Sequence, residues 1–170
     1  MFFIKSEEEF ALCPNCGNRL LYHCRVIRTL TDKESNKSHY SIRVLKCDNK
    51  ACPTTYHREL PNTIVPYKRF DAESIEEAIS LERSDIAVSA DESTIWRWRK
   101  WFKVSAVYIM MALVSVAATV DVETSSLINS NNNIEQIKEI VGQKVNWLKE
   151  TVRILVNSSK WVNRSAFLTG

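Results

Sequence analysis

Four cysteines in two tight pairs, Cys13-Pro-Asn-Cys16-Gly and Cys47-Asp-Asn-Lys-Ala-Cys52-Pro, constrain this 170-residue chain more than any other feature. Two thiolates on one turn can bite a metal ion from the same side, and two such turns complete a tetrahedral four-cysteine shell of the zinc-ribbon kind. Pro, Asn and Gly in or beside both knuckles are the residues that such turns need. Four residues separate the second pair, and thirty lie between the pairs, against a usual interval of about fifteen to twenty. The expectation is one structural Zn2+ ion held by Cys13, Cys16, Cys47 and Cys52. A closed shell leaves no position for water, so its role would be to hold a small β unit together and not to catalyse. Cys24 is left over and reads as a strand residue turned into the core. The odd count of five argues against a disulfide framework. The start, Met1 to Glu9, lacks the basic flank, apolar run and cleavage site of a secretory signal, which points to a reducing, cytoplasmic setting.

Between the pairs lie two strand candidates, residues 19–30 and 39–47, rich in β-branched and aromatic side chains, with the polar stretch Thr31 to Ser38 as their hairpin turn. Residues 56–70 hold Pro61 and Pro66 and read as a connector. In that connector the run Pro66-Tyr67-Lys68-Arg69 is extended and basic, suited to phosphate contact. His23 and His57 could in principle replace a thiolate, but four are already present, and His57 reads as a surface or packing residue. Net charge is only +3, yet unevenly spread. Residues 1–70 carry twelve Lys or Arg against seven acids, residues 71–91 one against seven, and residues 92–104 four against one. The basic surfaces are therefore the ribbon and a short later stretch.

Asp71 is placed to cap a helix with acids in its first turns, and Asp91 to cap a second that runs through Trp96-Arg-Trp-Arg-Lys-Trp-Phe102. Helix, connector, helix is the outline of a helix-turn-helix. On the second helix Ile95, Trp98 and Phe102 fall on one face and point inward, leaving Ser93, Thr94, Trp96, Arg97 and Lys100 toward solvent or a partner. Val104 to Val120 is uncharged on every face and reads as a buried central helix, with a membrane span as the alternative because basic and aromatic residues precede it and acids follow. After a polar loop over Glu123 to Asn133, apolar residues recur at Ile134, Ile137, Val141, Val145, Leu148, Val152 and Leu155, the stripe of a second long helix. The fold class expected is α+β: a ribbon (1–62), a basic connector (63–70), a helix-turn-helix (71–104) and a C-terminal helical region with two long helices (105–170).

Enzymatic signatures are missing from the sequence. It has no Gly-rich phosphate loop, no nucleophile–base arrangement outside the paired cysteines, and no carboxylate cluster on an alternating α/β platform. These residues point to binding and not to an enzyme.

The cysteine knuckles, His57-Arg-Glu-Leu-Pro61, Pro66-Tyr-Lys-Arg69, the Ser93 to Phe102 helix and the ending Leu155 to Trp161 through Ser165 to Leu168 together resemble a small bacterial family, chiefly from Firmicutes, associated with insertion sequences. The first part is similar to the N-terminal zinc ribbon of ISL-three-type transposases, which continue into a helix-turn-helix and a catalytic domain. That third part has no counterpart here. The resemblance implies an accessory DNA-binding subunit of a mobile element, with Tyr67, Lys68, Arg69, Ser93, Thr94, Trp96, Arg97 and Lys100 against double-stranded DNA. A separately encoded transposase or integrase would be its partner, and the C-terminal helices could form a homodimer. The alternatives are a protein-binding zinc-ribbon adaptor, a transcription regulator, and a membrane-tethered zinc protein.

Overall fold

The computed structural model describes residues 2–3, 11–119, 132–142 and 145–161. The expectations for Met1 and 4–10, for most of the 123–133 loop, for Val120 and for Ser165 to Leu168 lie outside the described residues.

Strands β2 (Leu20–Thr31) and β3 (Lys37–Cys47) form the expected antiparallel hairpin, with a register shift between Tyr22 and Cys24. Asp32 closes its turn by accepting from the backbone N–H groups of Glu34 and Asn36. A third strand, β4 (Tyr56–Glu59), pairs antiparallel with β3. The two-residue strand β1 (Phe2–Phe3) lies parallel beside β4, giving the order β1-β4-β3-β2. Part of the expected connector is thus sheet. Its alternation of His57 inward and Arg58 outward suits a strand, and Glu59 pairs across the sheet with Arg43, accepting from its Nε and Nη2. Cys24 is only half-buried, because it sits on the edge strand.

Residues 61–71 tie sheet to helices. Thr31 exchanges backbone hydrogen bonds with Arg69 and Asp71, and the Arg28 guanidinium donates to the Lys68 carbonyl at 2.7 Å. Helix α1 (Ala72–Ser80) starts where expected, with the Asp71 carboxylate accepting from Ser74 N–H at 2.9 Å. Helix α2 (Glu92–Ala118) starts the same way on Asp91, which accepts from the Thr94 N–H and from the Ser93 and Thr94 hydroxyls.

Two expectations change here. Residues 81–91, with a 3-10 turn at Arg83–Asp85, separate α1 from α2, far more than the three or four residues of a helix-turn-helix turn. The boundary drawn at residue 104 falls inside α2, which is one continuous helix. By length and a mean hydropathy of 1.7 it could cross a membrane, yet a third of that stretch is buried in protein, where Trp98, Phe102, Ala106, Ile109 and Leu113 face α1, α3 and α4. The opposite face is not buried.

The second long helix is two short ones, α3 (Asn133–Val141) and α4 (Trp147–Asn157). Gly142, at φ 69°, caps α3 in the left-handed region that glycine adopts without a steric penalty. The break puts Val145 in the connection, where it is exposed, while Ile137, Leu148, Val152 and Leu155 are buried as expected. The α4 N-terminus has no side-chain cap of its own. Glu76 of α1 supplies one, accepting from Asn146 N–H at 2.9 Å and Leu148 N–H at 2.8 Å. Replacing Glu76 with Ala strands both donors and should lower stability by ~1–3 kcal/mol. Glu76→Gln, which keeps an acceptor, should lose less, as read from thermal midpoints.

Candidate metal centre

The first knuckle is a turn between Cys13 and Gly17, closed by the Gly17 N–H to the Cys13 carbonyl at 2.8 Å, with Gly17 at φ 70°. The second turns on Asn49, whose side chain accepts from Ala51 N–H at 2.9 Å while its carbonyl accepts from Cys52 N–H at 3.1 Å. Asn15 donates across to the Thr54 hydroxyl at 2.7 Å, locking one knuckle on the other.

This places the four predicted ligands together. Their sulfurs all lie within 4.8 Å of one another, with Cys13–Cys52 at 3.7 Å and Cys16–Cys47 at 3.6 Å. A tetrahedral thiolate site with metal–sulfur bonds of about 2.3 Å has sulfur–sulfur edges of about 3.8 Å. All five cysteines are free thiols. The donor set and its spacing therefore fit one metal ion, with each close pair drawn from both knuckles so that the ion would bridge them.

Electrostatics point the same way. Asn18 donates from backbone and side chain to Cys16 and pulls its thiol down to about 6, whereas burial pushes Cys47 up to about 12 and raises Cys13. Four thiolates crowded this closely need a cation to ionise together, so binding would expel protons and stabilise the folded knuckles.

His57 belongs to this site, contrary to its reading as a surface or packing residue. It is fully buried at position 2 of β4, opposite Leu45, with Nε2 at 3.0 Å from the Thr54 carbonyl and 3.4 Å from Cys13 Sγ. Burial lowers the pKa of the imidazole and so favours its neutral form. With its proton on Nε2, the ring donates toward both acceptors, and Nδ1 is left without a hydrogen-bond partner among the described residues. A donor aimed at a ligating sulfur orients it and spreads its charge. The sequence signal was the histidine five residues after Cys52.

The predicted nucleic-acid residues gather elsewhere, where the connector meets α2. A turn closed by Lys68 N–H to the Val65 carbonyl holds Tyr67 at φ 65°, a region glycine enters more readily, and leaves its ring half exposed. Phe70 packs edge-on against Trp98 with ring centroids 5.0 Å apart, and Lys68 Nζ sits 4.2 Å from the centre of the Trp101 ring. Arg97, one helical turn before Trp101, is exposed, as are Arg69, Trp96 and Lys100. Lys100 Nζ lies 4.8 Å over the Trp96 ring. Ser93 and Thr94 are engaged with the cap residue Asp91. Arg99, another base of the tryptophan-rich run, instead donates to the Ala78 and Leu81 carbonyls and so closes the C-terminus of α1.

Residues 13–98 match the family described as domain of unknown function (DUF6431), and the chain belongs to that family. The match runs from the first knuckle cysteine to the first turns of α2, taking in all four thiols, His57 and the 66–70 turn, and carries no link to insertion sequences or transposases. No curated protein and no solved structure matches the chain.

Substituting His57 with Leu should weaken metal binding ~10- to 100-fold, measured by competition with a chromophoric chelator. Cys47→Ser should abolish stoichiometric binding altogether.

Proposed function

We propose that this chain is a zinc-dependent DNA-binding protein in which the ion has a structural role and the contact surface is the 66–70 turn together with the N-terminal half of α2. Zinc is the choice of ion because an all-thiolate tetrahedral set suits it, and no coordination position is left for water, so the reading is of binding and not of catalysis.

One observation carries the nucleic-acid part. Two segments far apart in sequence, the 66–70 turn and Trp96–Lys103, meet through Phe70 on Trp98 and Lys68 on the half-buried Trp101, beside Lys100 on the exposed Trp96. Bases gathered on one surface supply phosphate contacts, and rings between them supply apolar or stacking contacts. The first turn of α2 is a poorer candidate. Glu92 lies there, and the Ser93 and Thr94 hydroxyls are engaged with Asp91. The contact would therefore begin at about Arg97, with α2 acting as a recognition element without the tight turn of a helix-turn-helix. The resemblance to proteins of insertion sequences favours duplex ends of a mobile element as the target, a separately encoded transposase or integrase as the partner, and a cytoplasmic site of action.

Fluorescence anisotropy with duplex DNA flanking the protein's own locus tests this. Arg97→Ala combined with Lys100→Ala should weaken binding at least ~10-fold and reduce the slope of log K against log salt by about 2. Both side chains are exposed, so the fold should be unaffected. Equal affinity for the wild type and the double variant would remove α2 from the interface.

A further inference from the structure

We propose that two copies of this chain pair antiparallel along the outer stripe of α2, formed by the exposed Val104, Val107, Met111 and Ala118 with the half-buried Val114 between them. Val104 and Val107 are each 51% exposed and Met111 63%, on the side of the helix opposite Phe102, Ile109 and Leu113. No charged residue occurs between Lys103 and Asp121, whereas a helix that faces water carries its charges on that side.

The stripe repeats at alternating intervals of four and three residues. That is the 3.5-residue period of a two-helix seam, in which apolar knobs from one helix enter holes on the other. Charge selects the occupant and its direction. Arg97, Lys100 and Lys103 mark the N-terminal end, and Asp121 and Glu123 follow the C-terminal end in the sequence. Parallel pairing would set bases against bases. Antiparallel pairing sets the bases of one copy toward the negative helix end of the other at Ala118–Thr119.

A lipid surface fits less well. The apolar part, residues 104–118, is ~22 Å long at 1.5 Å per residue, short of the roughly 30 Å bilayer core. A helix lying in the interface carries Lys or Arg along the margins of its apolar face, and none occurs here after Lys103 until Lys138.

About two heptads bury less than the roughly 800 Å² per partner of a standard interface, so the pair should be weak, dissociating at ~1–100 μM. Sedimentation equilibrium of the metal-loaded full chain from ~1 to 200 μM, without detergent or nucleic acid, reads this directly. Because no DNA is present, the result is independent of the nucleic-acid reading. The expected mass rises from 19.6 kDa toward twice that value. Met111→Glu should shift the transition at least tenfold toward monomer with unchanged far-ultraviolet circular dichroism and thermal midpoint. In a Cys24→Ser background, Met111→Cys at the two-fold axis should oxidise to a covalent dimer and Val104→Cys should not. A wild-type chain that stays monomeric at ~200 μM, association indifferent to Met111→Glu, or ready cross-linking through Val104→Cys would each overturn the proposal. So would a monomer that floats with neutral phosphatidylcholine vesicles unless Met111 is replaced by Glu.

Discussion

The front of the molecule depends on four thiols lying within one ion's reach. The sheet they close is small: its buried apolar residues are few, chiefly Leu20, Leu30, Ile42, Val44 and Leu45, and two long strands joined by one turn have little to oppose the entropy of opening. A metal clasp between the Cys13–Cys16 and Cys47–Cys52 turns would fix both strand ends at the far side from the hairpin turn. It would also hold the point where the chain leaves the second knuckle, just ahead of the register of β4 on β3. From that register follow the Arg43–Glu59 pair and the burial of His57. Metal binding in such a site is folding free energy delivered locally.

The same register reaches the helices. Leu60, Ile64 and Val65 follow β4 into the core, so the turn that comes next is presented to α2 by a fixed lead. Arg28 holds the Lys68 carbonyl from the hairpin side while Phe70 and Lys68 meet Trp98 and Trp101 from the other. The connector is therefore a joint. Its basic side chains have a defined position relative to those of α2, and a surface assembled from both segments inherits its geometry from the cysteine turns that precede it in the chain.

Much of this was legible in the sequence where the signal is local. Knuckle spacing located the four thiols that cluster, and Asp71 and Asp91 marked helix starts because a carboxylate one residue outside a helix has few better uses. The inward set of Trp98 and Phe102 followed from periodicity. What stayed hidden depends on partners distant in sequence. Tyr56–Glu59 is too short to announce a strand and becomes one through Arg43 and Leu45. His57 looks like any polar residue until a sulfur stands 3.4 Å away. Gly142 was a local signal that the continuous stripe from Ile134 to Leu155 outweighed, although a glycine in the left-handed region is a common way for a helix to end.

The uncharged run of α2 was harder to place, and its misreading is informative. A helix apolar all round is ordinarily buried all round, yet α1, α3 and α4 are nine to eleven residues long and pack against one side of a 27-residue helix. At 1.5 Å per residue the spine is about 40 Å long, more than neighbours of that length on one side could enclose. The intramolecular core needs Phe102, Ile109 and Leu113, and it would be served equally well with Lys or Glu at 104, 107 and 111. Aliphatic residues there contribute nothing to the packed side and increase the tendency to aggregate. The family match ends at Trp98, ahead of this stripe. The stripe therefore belongs to the part of the chain beyond the cysteine-clustered region, and its aliphatic chemistry has no use within the monomer's packed side.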